Sequence, residues 1–180
     1  MRIVAGRFGG RRIATVQGDA TRPTTDRVRE ALFSILGPLD GVRVLDLFAG
    51  SGALAIEALS RGAEHATLVE KDGWAAQVIT RNLETLGITA EEAEVLRMPA
   101  ERALRTARER GDAYDLVFLD PPYRQAPALG ERLAADLTAV LAPAARVVTE
   151  SDRRAPLDLP QLPTTDERRY GDTLIRIHAT

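Results

Sequence analysis

From residue 42 to residue 150 the chain alternates short apolar runs with stretches of helical period. The pattern predicts strands at 42–48, 66–70, 94–97, 114–120 and 146–150, and helices at 53–61, 73–86, 101–110 and 129–141. Gly62, Gly87 and Gly111 end the first three helices, where a residue without a side chain enters the left-handed region at little cost. A βαβα order of this kind lays its strands parallel, because each crossover helix must return over a face of the sheet. The alternation stops near the end. Stretches at 167–170 and 173–178 flank Gly171-Asp172, a two-residue turn signal for an antiparallel hairpin. The expectation is an α/β chain with helices on both faces of a mostly parallel sheet.

Ahead of this region, two apolar stretches within residues 1–16 surround Gly9-Gly10 and predict a small β-hairpin. Thr24 is placed to cap a helix running to residue 36, with Val28, Ala31, Leu32 and Ile35 on one face and Gly37-Pro38 at its end. We divide the chain into an N-terminal extension, 1–38, and a main domain, 39–180. Net charge is -2, yet residues 1–30 carry Arg2, Arg7, Arg11, Arg12, Arg22, Arg27 and Arg29 against Asp19, Asp26 and Glu30. A local basic patch of this kind holds phosphates even on an acidic chain, and the plainer reading is a solvated face.

The absence of cysteine excludes a disulfide framework, a thiolate zinc site and carbon-5 methylation of pyrimidines, which needs a thiol nucleophile. His65 and His178 are too far apart in sequence to suggest a metal site, and none is expected. No apolar run reaches the length of a membrane span, and the first residues lack a signal-peptide core, so a soluble cytoplasmic protein is expected.

Two motifs carry chemistry. Asp46-Leu47-Phe48-Ala49-Gly50-Ser51-Gly52 lies where the first parallel strand turns into a helix. Glycines there permit positive φ and close approach of a ligand, and the helix start offers oriented N–H groups. The spacing Gly50-x-Gly52-x-x-Ala55, with Glu70 twenty residues on, also satisfies a dinucleotide fingerprint. Glu70 can accept ribose hydroxyls in either case. Asp46 favours a cofactor bearing an ammonium group over one bearing a pyrophosphate, which it would repel. The second motif, Asp120-Pro121-Pro122-Tyr123, follows the apolar run 116–119 at the carboxyl end of a strand, the edge at which open α/β sheets bind ligands. A plain turn would explain an acid or a proline there. It does not explain an acid, two prolines and an aromatic together. A carboxylate and a rigid carbonyl can each accept an N–H of an exocyclic base amine, freeing its lone pair for a sulfonium methyl, while Tyr123 stacks on a base turned out of its stack.

Together these stretches resemble the bacterial 16S rRNA guanine-N2 methyltransferase family, RsmD. The matching residues are Arg22-Pro23-Thr24-Thr25-Asp26-Arg27-Val28-Arg29-Glu30-Ala31-Leu32-Phe33, the run 45–53, Glu57-Ala58-Leu59-Ser60-Arg61-Gly62-Ala63, Val69-Glu70, Phe118 to Tyr123 and Tyr170-Gly171-Asp172. The resemblance implies the Rossmann-like class I fold, with a seven-stranded sheet closed by a hairpin, and S-adenosyl-L-methionine as cofactor. It implies a cofactor site of Asp46, Phe48, Ala49, Gly50, Ser51, Gly52, Glu70, Lys71, Met98 and Pro99. It also implies a guanine held by Asp120, Pro121, Pro122 and Tyr123, and RNA contacts from Arg7, Arg11, Arg12, Arg22, Thr24, Arg27 and Arg29. The implied partner is 16S rRNA in an assembled or assembling small ribosomal subunit, met by a monomer.

One stretch departs from the family pattern. An acid that commonly follows the third strand and binds the adenine amine is replaced in Arg97-Met98-Pro99-Ala100-Glu101 by Pro99, leaving Met98 to cover the ring and Glu101 as a substitute acid. Trp74, just past Glu70, is placed to approach the adenine, and the favoured expectation is that it packs against the sheet. Three other activities fit parts of the sequence: an N6-adenine methyltransferase, a non-catalytic RNA-binding subunit and a dehydrogenase.

Overall fold

A computed structural model of the chain describes residues 1–16, 26–122 and 126–180. The elements are α1 (Asp26–Leu36), β1 (Arg43–Asp46), α2 (Ala53–Ser60), β2 (His65–Val69), α3 (Gly73–Leu86), β3 (Ala93–Leu96), α4 (Ala100–Arg110), β4 (Tyr114–Leu119), α5 (Ala126–Thr138), β5 (Leu141–Asp152), β6 (Thr164–Tyr170) and β7 (Thr173–Ala179). The strands form one sheet in the order β3-β2-β1-β4-β5-β7-β6. The first five are parallel neighbours, whereas β7 runs antiparallel to both β5 and β6. This is the Rossmann-like sheet with a terminal hairpin, and Tyr170 pairs with Thr173 across the turn at Gly171 (φ 64°).

The pleat of the central strands sorts their side chains onto two cores. Val44, Ala66, Leu68, Leu116 and Phe118 join Ile3, Phe8, Phe33, Leu59 and Ile79 on the side of α1, α2 and α3. Leu45, Leu47, Val69, Val117 and Leu119 join Leu104, Leu133 and Leu137 on the side of α4 and α5. Burial on both faces is the reason β1, β2 and β4 read as continuous apolar runs rather than alternating ones.

The glycine-turn helix α2 has no solvent face beyond its first residue, since residues 54–60 are all buried. The sheet covers one side and the N-terminal segment the other. Glu57, fully buried in α2, accepts the backbone N–H groups of Val4 (2.7 Å) and Ala5 (3.0 Å) and the Nε of Arg61 (2.7 Å). Arg29 of α1 lies 3.6 Å from the same carboxylate. Ser60 accepts from the N–H of Phe8 and donates to the carbonyl of Ala5.

Two of four local expectations change. The N-terminal hairpin is present as a short antiparallel pairing about the bridge of Arg2 opposite Arg12, in which the Ile3 N–H donates to the Arg11 carbonyl (3.0 Å) and the Ile13 N–H to the Met1 carbonyl (3.1 Å). Thr24, the expected cap, lies outside the described residues, and α1 begins at Asp26. The helix expected at 129–141 ends at Thr138, and β5 starts at Leu141, where it meets Tyr114 before the register shifts. Trp74 does not pack against the sheet. It is 61% exposed in the first turn of α3, where the helix turns Ala75, Val78 and Ile79 inward instead.

Candidate active site

The strand order reverses between β1 and β4, and the cleft opens at the carboxyl ends of the strands beside that point, as doubly wound sheets dictate. Phe48, Gly50, Glu70, Lys71, Met98, Asp120 and Pro122 line it, joined by Leu47, Val69 and Ala100, which the motifs did not single out.

The floor is the turn after β1. Gly52 caps α2 in the left-handed region (φ 82°) and donates to the Ala49 carbonyl at 2.6 Å. A β-carbon there would meet Leu68 Cδ2 at 3.1 Å and Ile56 Cδ1 at 3.2 Å, so both conformation and space demand glycine. Gly50 (φ 55°) differs, because a β-carbon would meet open space and only the backbone angle selects glycine. Glu70 ties this turn to β2: one carboxylate oxygen accepts the Gly50 N–H (3.0 Å) and the other the Asp72 N–H (2.9 Å). A carboxylate has about four acceptor sites, so both oxygens keep capacity for a ligand hydroxyl.

The wall beyond β3 lacks a carboxylate. Pro99 is the N-cap of α4 and is exposed, Met98 and Ala100 face the cleft, and Glu101 is engaged by Arg132 of α5. Glu101 therefore does not replace the missing acid. Ala49, Ser51 and Gly52 shape the turn from behind rather than lining the cleft.

Asp46 lies beneath the turn, 1% exposed, with the Phe48 N–H donating to it at 3.4 Å. Burial pushes its carboxyl from 3.8 up to about 7, the Glu70 charge adds to this, and backbone hydrogen bonds from Phe48 and Ala55 oppose it. Asp120 is pushed well above its ordinary value, first by burial, then by the charges of Glu150 and Asp46. Asp46 ends β1, Asp120 follows β4 and Glu150 lies in β5 two residues before its end, on three adjacent strands. Glu150 was not among the expected site residues. A signal for it exists, because Val147-Val148-Thr149-Glu150 repeats the pattern of an apolar strand closed by an acid, as at Asp46 and Asp120. Pro121 is buried behind Asp120, and Tyr123 lies outside the described residues. Among the described residues, no group of three or more His, Cys, Asp or Glu side chains is arranged to hold a metal ion.

The arginines divide. Arg29 is 1% exposed and donates to the Arg2 carbonyl and to Asp26, so it fastens the N-terminal segment and is not available to RNA. Arg7 pairs with Glu92 and lies over the Phe8 ring. Arg11 donates to the carbonyls of Thr85 (2.6 Å) and Leu86 (3.4 Å) at the end of α3. Arg12 and Arg27 are exposed and have no ion-pair partner among the described residues. Arg22 and Thr24 lie outside the described residues. No described helix is long and apolar enough to cross a membrane.

Comparison with known proteins matches residues 1–179 to the family described as conserved hypothetical protein 95. A putative rRNA methyltransferase, YlbH, of Bacillus subtilis is 43% identical over 188 residues, covering 99% of this chain and 98% of its own. Ribosomal RNA small subunit methyltransferase D of Escherichia coli K12 is 42% identical over 126 residues, which are 69% of this chain and 61% of that protein. The structure of a putative methyltransferase, yhhF, from Escherichia coli superposes with a TM-score of 0.82 at 35% identity, covering 99% of this chain and 97% of that one.

Proposed function

The chain belongs to the conserved hypothetical protein 95 family, that of the RsmD-type rRNA methyltransferases, and on that premise we propose that it methylates the exocyclic N2 of a guanine in small-subunit rRNA, using S-adenosyl-L-methionine. The observation that carries this reading is the set of acids at the cleft. Asp46 and Asp120 are desolvated beside further carboxylates and stand at raised values, a field that favours a cationic ligand and opposes a pyrophosphate. S-adenosylmethionine carries an ammonium and a sulfonium, and the residues present fit it: the acid field for the cations, Glu70 for ribose hydroxyls, Met98 and Phe48 for apolar surface. Bound there, it supplies an electrophilic methyl group. Lys71 at the rim is suited to the cofactor's outward end.

The remaining chemistry belongs to the chain. The Asp120 carboxylate accepts one N–H of the guanine amine and the Pro121 carbonyl accepts the other. The nitrogen lone pair is thereby released from the ring and aimed at the methyl carbon. As the new C–N bond forms and the methyl's bond to sulfur breaks, releasing S-adenosylhomocysteine, Asp120 would stabilise the positive charge on nitrogen, and the amine proton would then pass to solvent. A cation in the cleft draws Asp120 back toward its ionised form, so cofactor binding prepares the acceptor it needs. Tyr123 stacks on the extruded base, and Pro122 holds that turn rigid.

RNA is gripped by the extension, 1–38, with exposed Arg12 and Arg27 on phosphates and Arg22 and Thr24 as further contacts. The protein works as a monomer in the cytoplasm on an assembled or assembling small subunit. The test is transfer of labelled methyl from S-adenosylmethionine to small subunits lacking the modification, with mass spectrometry of the nucleosides. N2-methylguanosine is expected. N6-methyladenosine would replace the target base, and no transfer to RNA would overturn the reading.

A further inference from the structure

Asn82 stands in the interior of α3, where asparagine is a poor helix former, and is 2% exposed. Its side chain touches neither the cleft nor solvent, yet every polar atom of it is used. Nδ2 donates to the Ser51 carbonyl (2.9 Å) and to the Ala14 carbonyl (3.0 Å), and Oδ1 accepts the Ala14 N–H (2.8 Å). The amide can sit only one way round. Turned over, it would set oxygen against two carbonyls and NH2 against an N–H.

These bonds join two parts of the molecule that no other side chain on α3 connects in the described structure. Ser51 lies between Gly50 and Gly52 in the cofactor turn. Ala14 belongs to the same N-terminal stretch as exposed Arg12, and Arg11 of that stretch is anchored at the end of α3. We propose that Asn82 is a positioning residue that couples the two binding events, so that RNA docking on the N-terminal segment and cofactor seating in the glycine turn favour each other. The physical basis is shared ordering. A ligand that fixes Ala14 fixes the Asn82 amide, and through it the Ser51 carbonyl, so the second ligand orders less of the chain. Coupling of this kind is reciprocal by thermodynamic necessity.

The inference rests on the proposed cofactor and RNA assignments, and the experiment separates the two. Binding of labelled S-adenosylhomocysteine is measured for the full protein alone and with saturating unmodified small subunits, and binding of the subunits is measured with and without S-adenosylhomocysteine. In the wild type each ligand is expected to tighten the other by the same factor, on the order of five- to tenfold. Asn82→Ala brings that factor to one. Asn82→Ser shortens the side chain so that it cannot reach Ser51 and Ala14 together, sets no charge against their carbonyls, and serves the same purpose if the alanine variant does not fold. A purely structural role would lower the melting temperature and weaken each ligand singly while leaving the factor intact. That result, or a wild type with no coupling, overturns the proposal. Coupled binding without methyl transfer by the wild type overturns the activity and leaves the coupling standing.

Discussion

Asp120 and Glu150 each stand one residue beyond a registered pair, Leu119 opposite Thr149, on adjacent parallel strands, where β4 ends and β5 runs on to Asp152. Parallel register brings such positions together automatically, so an acid after each residue of the pair must lie beside the other. Burial first, and then the charge of Glu150, holds Asp120 above its ordinary value. The cleft is thus built at a cost that a cation relieves, a recurring trade at binding sites.

Asp120→Ala is expected to lower kcat by on the order of a hundredfold or more, the scale of losing one preorganised partner of developing charge. Affinity for S-adenosylhomocysteine should hold or tighten slightly, since one of the mutually repelling acids is gone. Steady-state kinetics with calorimetry separates the two quantities, and a kcat within a few fold of wild type would remove Asp120 from the mechanism.

The stability of the cofactor-free protein should carry the mark of Asp46. Its folded value, about 7, lies above the unfolded 3.8, so its contribution is fully present below 3.8 and lost as pH rises through about 7. Asp46→Asn is therefore expected to be the more stable protein relative to wild type at pH 8 than at pH 4. The difference is at most on the order of 4 kcal/mol, from roughly three units of displacement. Chemical denaturation of both proteins across that range measures it, and a difference independent of pH contradicts the burial of the carboxyl.

Gly52→Val meets two obstacles, a φ of 82° and β-carbon contacts of 3.1 and 3.2 Å to Leu68 and Ile56. Cofactor binding is expected to be lost, with stability reduced by roughly 1–3 kcal/mol. Gly50→Ala meets open space and should cost only about 1 kcal/mol. Equal affinities for S-adenosylhomocysteine in wild type and Gly52→Val would show that the turn does not form the cofactor floor.

Charge reversal at Arg12 and at Arg11 should separate recognition from anchoring. Arg12→Glu is expected to weaken RNA binding and flatten its salt dependence, the log–log slope falling by roughly 0.7–0.9 per lost phosphate contact. Arg11→Glu places a carboxylate against the carbonyls of Thr85 and Leu86, so its first effect is a lower melting temperature. An unchanged salt slope for Arg12→Glu would exclude it from the RNA surface.

Chemistry written at strand ends was legible in the sequence because its residues are near neighbours along the chain: Gly50 and Gly52, Glu70 at a fixed offset, Asp120 before two prolines. Elements were legible for the same local reason, and α3 has the expected bounds, 73–86. What stayed hidden depends on partners far along the chain. Arg29 read as a surface charge because its contacts with the N-terminal segment and Glu57 appear only after folding. Nothing in the sequence marks Asn82, whose partners Ala14 and Ser51 lie 68 and 31 residues away. Trp74 was misplaced because large apolar residues are usually covered, and only the helix phase turns this one outward.

The buried face of α2 has a consequence for how the chain is made. Val4 and Ala5 find their acceptor, Glu57, 53 and 52 residues later in the sequence. At synthesis rates of about 5–20 residues per second, those first residues wait roughly 3–10 s for the partner that seats them. During that interval Ile3 and Phe8 have no core to enter, since the helix they cover has not yet been translated. The segment around Val4 and Ala5 is thus made well before the helix that fastens it down.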